Sequence, residues 1–190
     1  MSVVLASASP RRRELLEMLG VKDFVICPAK GEEKLAPEQG PGDIVCSLSA
    51  AKAQEVRESC GDDDIIIAAD TIVWSDGRVF GKPETENEAK LMLSSLSGKS
   101  HEVYTGVTVI KGDKIISEAE CTKVHFRKLE EAEIDAYVSS GEPMDKAGAY
   151  GIQGKASLFA EGIEGDFFNV MGLPLCRLGK MLKTIGVSLL

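Results

Sequence analysis

The chain has 190 residues, enough to bury a sizeable core as one domain or as two small lobes. Its 22 Lys and Arg against 30 Asp and Glu leave a formal net charge of -8 at 44% hydrophobic content, which suits a folded protein and disfavours a general nucleic-acid or anionic-membrane binder. No apolar run approaches the roughly 18 residues of a spanning helix, and five cysteines without a C-x-x-C pair (Cys27, Cys46, Cys60, Cys121, Cys176) indicate neither a disulfide framework nor a zinc site but reduced, mostly packing residues.

At the N-terminus the arginines follow the apolar stretch, the reverse of a secretory signal, so the expected location is cytoplasmic. Residues 3–6 predict a short buried strand. A helix follows over 11–19, with Ser9 placed as N-cap, Pro10 at its first position and Gly20 just past its end. A second strand over 24–27 leads to an acidic loop over 30–42. The next helix starts at Asp43, where Ile44, Leu48, Ala51 and Val56 support a 3.6-residue period. The run Ile65-Ile66-Ile67-Ala68-Ala69 reads as a strand covered on both faces that ends at Asp70. Residues 72–74 and 78–80 flank Ser75-Asp76-Gly77 as a hairpin, and Thr85 with Glu88 makes a capping box for a helix to Leu96. Two long antiparallel strands, 102–111 and 115–127, join at Gly112-Asp113, and a helix spans 130–138. Strands over 158–163 and 167–170 and a closing helix over 173–185 complete the reading. His101 and His125 are expected in strands with satisfied rings. Without repeat or linker, the pattern predicts a mixed α/β fold with two closely joined lobes.

Three groups of residues could carry chemistry. Ser7-Ala8-Ser9-Pro10-Arg11-Arg12-Arg13 combines a helix N-terminus, hydroxyls and guanidinium forks, which together suit phosphate; the plainer alternative is a capped helix with a solvated basic face. Asp70 is an acid directly after a buried strand, where a carboxylate needs a cation, water or donors, or else forms a strand-end turn. Glu32-Glu33, Lys52 and Lys82 would supply carboxylates for a hard divalent cation and ammonium groups for phosphate oxygens. Other matches fail: Gly98-Lys99-Ser100 imitates the end of a P-loop, but Leu93 stands where its first glycine belongs, and there is no G-x-S-x-G elbow.

Seven blocks, in order over residues 5 to 175, resemble the Maf family: Ser7 to Arg12, Leu48 to Ala53, Ala68-Ala69-Asp70-Thr71-Ile72-Val73, Gly81-Lys82-Pro83, Leu96 to Gly106, Asp145 to Gly154 and Val170 to Leu175. The resemblance implies a single domain over 1–190 with two lobes around a central cleft, similar to inosine triphosphate pyrophosphatases. It also implies hydrolysis of nucleoside triphosphates to the monophosphate and pyrophosphate with Mg²⁺ or Mn²⁺. By the same carry-over Asp70 matches the catalytic acid, described as proton acceptor, and Glu33 and Asp70 are the expected metal ligands. Arg11, Thr71 and Gln153 match positions linked to substrate choice; Ser9, Arg12, Lys52 and Lys82 match polar positions lining the cleft. Thr71 after the aspartate resembles the subfamily acting on dTTP and UTP. Two positions depart from the usual pattern: Ser49 replaces an alanine and Arg13 extends an arginine pair. Sequence leaves open whether Asp70 is general base or metal ligand, and whether the chain is an enzyme or a triphosphate-binding regulator of cell division without turnover. The expected partner is the nucleotide, with no nucleic acid or membrane; a homodimer is left open.

Overall fold

The computed structural model describes residues 2–31 and 39–189. In chain order its elements are β1 (Val3–Leu5), α1 (Pro10–Met18), β2 (Phe24–Ile26), α2 (Pro41–Arg57), β3 (Ile65–Ser75), β4 (Arg78–Phe80), α3 (Glu86–Leu96), β5 (Ser100–Lys111), β6 (Lys114–Phe126), α4 (Glu131–Val138), β7 (Ala160–Glu164), α5 (Phe167–Met171) and α6 (Leu175–Thr184). The strands form one mixed sheet in the order β2-β1-β3-β5-β6-β7, with β4 paired to β3. β1 runs parallel to both neighbours, Val3 standing opposite Phe24 and Ile65. No described helix is long and apolar enough to cross a membrane.

The chain divides into two compact units: Met1–Asp70, Thr105–Glu120 and Gly172–Leu190 form the first, Thr71–Tyr104 and Cys121–Met171 the second. In the first, Val4, Ala6, Ala53, Val56, Ile66, Ala68 and Ile110 form one apolar cluster. Helix α1 buries Leu15 and Leu16 and closes at Gly20, whose φ of +82° is the left-handed turn that a glycine allows. Helix α2 begins at Pro41, two residues before the expected start, because proline suits the first helical position. Its buried face carries Ile44, Leu48, Ala53 and Val56, while Ala51 points to solvent. Gly106 on β5 lets this helix lie on the sheet: a Cβ there would stand 2.2 Å from the Val45 carbonyl oxygen. Ser49 is fully buried and satisfied, its hydroxyl donating to the Cys46 carbonyl and sharing a hydrogen bond with Thr108 at 2.9 Å, which bonds Ser117 in turn.

In the second unit an aromatic cluster of Phe126, Tyr137, Tyr150 and Phe159 packs with Val73, Leu93, Leu96 and Val138. The expected hairpin forms, with Val73 opposite Phe80 and Ser75 opposite Arg78 around Asp76 and Gly77, both at positive φ. Thr85 caps α3 by accepting from Glu88 N–H at 3.1 Å, but the Glu88 carboxylate turns to Glu84 N–H, so only half of the expected box closes. Three further expectations are corrected. β3 does not stop at Asp70 but runs on to Ser75. Residues 167–170 are not a strand but helix α5, because the Asp166 carboxylate accepts from Phe168 N–H at 2.8 Å and caps a turn that the apolar composition conceals. His101 is satisfied on one ring nitrogen only, Nδ1 being buried without a hydrogen-bond partner, whereas His125 is bonded on both. None of the cysteines is joined in a disulfide, none is fully buried, and Cys121 and Cys176 are exposed.

Candidate active site

The centre of the first unit's polar chemistry is Asp70, 6% exposed, the sixth residue of β3 after five buried apolar ones. A carboxylate so placed loses hydration and needs a counter-charge. Lys52 supplies it, with Nζ 2.5 Å from Asp70 Oδ1 and its side chain 20% exposed. The reach follows from the helix. Lys52 lies seven residues after Val45, two turns on along the same face, and Val45 is the residue that Gly106 brings down onto the sheet.

The start of α1 adds a cationic anchor. The buried Ser7 hydroxyl accepts from Ser9 N–H at 3.2 Å and from Arg12 Nη1 at 3.1 Å, while Arg12 Nε donates to the Gly172 carbonyl at 2.8 Å. Ser9 holds the N-cap position, as expected, but its side chain makes no capping bond. Arg11 lies half-buried in the first turn. Arg13 donates to Glu17 one turn later, an exposed pair that assigns the third arginine to the helix surface.

Thr71, half-buried, follows Asp70 on β3 and belongs to the second unit. There Lys82 is exposed in the irregular segment after β4, and Gln153 is exposed at the head of a 3₁₀ turn over Gly154–Leu158. Glu32 and Glu33 lie outside the described residues. Among the described residues, no three of His, Cys, Asp and Glu gather into a metal-binding group. Asp70 offers a hard oxygen donor of the kind a divalent cation takes, beside the Lys52 ammonium group; phosphate oxygens and water would have to complete such a cation's shell. Sequence reasoning gave Ser7 no role in fixing Arg12, and missed the Gly172 carbonyl altogether. The only signal for the latter was its place in a recognisable block, since the partners stand 160 residues apart.

The profile of the Maf-like protein family matches residues 2–185. Over 186 residues the chain is 52% identical to the dTTP/UTP pyrophosphatase of Bacillus cereus (strain AH820), covering 98% of this chain and 96% of that one. The dTTP/UTP pyrophosphatase of Bacillus thuringiensis subsp. konkukian (strain 97-27) matches with the same identity and coverage. Among solved structures a HAM1 protein from Coxiella burnetii aligns with a TM-score of 0.54, covering 97% of this chain and 99% of that one; at 16% identity the likeness is one of fold.

Proposed function

The chain belongs to the Maf-like protein family, and on that premise we propose that it hydrolyses dTTP and UTP to the nucleoside monophosphate and pyrophosphate. The observation that carries the chemistry is the pair of the buried Asp70 with the half-buried Lys52. An acid taken out of water and held against an ammonium group suits proton transfer or cation binding better than surface solvation. The substrate follows from the 52% identity to proteins named for dTTP and UTP.

Water attacks phosphorus and the bond between the α and β phosphates breaks, so that one triphosphate and one water give one monophosphate and one pyrophosphate. Asp70 accepts the proton of the attacking water or holds the cation. Arg11, Arg12, Lys52 and Lys82 serve as donors to phosphate oxygens, whose charge grows on the leaving pyrophosphate. Ser9 keeps a hydroxyl available for the same oxygens. Asp70 with Glu33 would hold Mg²⁺ or Mn²⁺, which would supply further charge neutralisation when bound. Thr71 and Gln153 bear on base choice, the Gln153 amide being able both to accept from N3–H of uracil or thymine and to donate to a ring carbonyl.

Product analysis of the purified protein with UTP, dTTP, CTP, GTP and ATP in Mg²⁺ tests this. The expected result is monophosphate and pyrophosphate in equal amounts, fastest from UTP and dTTP. Release of orthophosphate would overturn the bond assignment, and tight binding without turnover would make the chain a nucleotide-sensing regulator.

A further inference from the structure

The backbone that carries Gln153 is fixed from inside the second unit by a pair of side chains with no part in the chemistry above. The Tyr150 hydroxyl lies 2.7 Å from His101 Nε2, and the two residues are 5% and 2% exposed. His101 also stands edge-on to Phe126, with ring centroids 4.9 Å apart. A polar pair sealed among aromatic rings, with His101 Nδ1 unpartnered, is a poorer core than an apolar pair of the same shape. What it adds is direction.

The neighbouring backbone needs that direction. Gly148 has a φ of +68°, its N–H donates to the Gly81 carbonyl at 2.9 Å, and a Cβ there would stand 2.8 Å from Val73 Cγ2. Ala149 follows at φ +60°, fully buried, a left-handed conformation that strains a non-glycine residue. Beyond this kink Tyr150 and Ile152 turn inward and Gln153 outward. Gln153 lies three positions after Tyr150, at most about 11 Å of extended chain.

We propose that His101 is a positioning residue for base recognition, holding Tyr150 so that the strained segment presents Gln153 on a single course. The inference rests on the reading of Gln153 as the residue that senses the base. At the other end of the segment the bond from Gly148 to Gly81 is backbone to backbone and adjoins Lys82, so it does not depend on His101.

Steady-state kinetics with UTP and CTP test the proposal. In His101→Leu the ratio of kcat/KM for UTP to that for CTP should fall about five- to tenfold, the loss of one aligned hydrogen bond. The fall should come through KM for UTP, with kcat held within about twofold. His101→Gln, whose amide reaches towards the Nε2 position, should restore the ratio to within about twofold of the parent. Combined with Gln153→Ala, His101→Leu should add nothing to the loss from Gln153→Ala alone. Should His101→Leu fail to fold, Tyr150→Phe removes the same bond and carries the same expectation. An unchanged ratio, an equal fall for both nucleotides, or no advantage of Gln over Leu would overturn the positioning role. A Gln153→Ala protein with parental discrimination would instead overturn the base-sensing reading on which it rests.

Discussion

Asp70 in the first unit and His101 in the second are both buried polar residues of long strands, 6% and 2% exposed, yet their surroundings treat them in opposite ways. Asp70 meets an ammonium group at 2.5 Å. His101 meets the neutral phenol of Tyr150 and, in a second T-shaped contact, the ring of Phe126, and burial, helped by the charge of His125, pushes its pKa down to about 4. The first environment keeps a charge in place, while the second forbids one. A buried ion pair is a weak source of stability compared with apolar packing, so its presence points to chemistry; a neutral polar pair inside a core fixes geometry.

The contrast breaks most sharply on metal removal. Chelation of divalent cations should lower pyrophosphate release by at least about 10³-fold, and Mg²⁺ or Mn²⁺ should restore it. The near-ultraviolet circular dichroism of the aromatic cluster should not change. Turnover that survives chelation would remove the cation from the first region.

Next comes the counter-charge. Lys52→Met removes the ammonium group from the Asp70 carboxylate, and urea unfolding at pH 7 should show a loss of about 3 kcal/mol. Adding Asp70→Asn removes the carboxylate charge as well and should recover most of that loss. If both proteins are equally destabilised, Lys52 contributes packing and not charge.

In the second region the pH dependence has a definite sign. Unfolded, His101 takes up a proton near pH 6.5; folded, only near pH 4. The unfolded state therefore binds more protons between those values, and stability declines as pH falls through that window. Between pH 7 and pH 5 the decline should be on the order of 2 kcal/mol, and His101→Leu should largely abolish it. The half-buried Glu133, held down to about 2 chiefly by Arg127, loses its contribution mainly as pH falls from 4.5 towards 2, below the span from pH 7 to pH 5. A decline unaltered in His101→Leu would assign the acid sensitivity elsewhere.

Legibility in the sequence followed the distance over which the responsible contacts act. The ends of α1 were readable because Ser9, Pro10 and Gly20 are local signals. Asp70 was readable as an unusual acid but not as a mid-strand residue. The polarity that seemed to end the strand is compensated by Lys52, 18 residues away on α2. Residues 167–170 combine two phenylalanines and a valine, a strand-like composition, and the Asp166 cap that makes them helical was overlooked. The His101–Tyr150 bond joins residues 49 apart and leaves no local trace. Of the candidate site, Asp70, Lys52 and Arg12 are legible in the sequence as charged residues in distinctive blocks. The contacts that fix them, from Ser7, Gly172 and Gly106, depend on the tertiary structure.

The most direct test of the central claim is to measure the unfolding free energy and pyrophosphate release of Asp70→Asn on the same preparation. Asparagine keeps the shape and removes the charge, and Lys52, already 20% exposed, can turn its ammonium group to water. The expected result is a protein within about 1 kcal/mol of the parent in stability that turns over UTP at least about 10²-fold more slowly. A folded Asp70→Asn protein with near-parental turnover, or one that loses stability in proportion to its activity, would contradict the account.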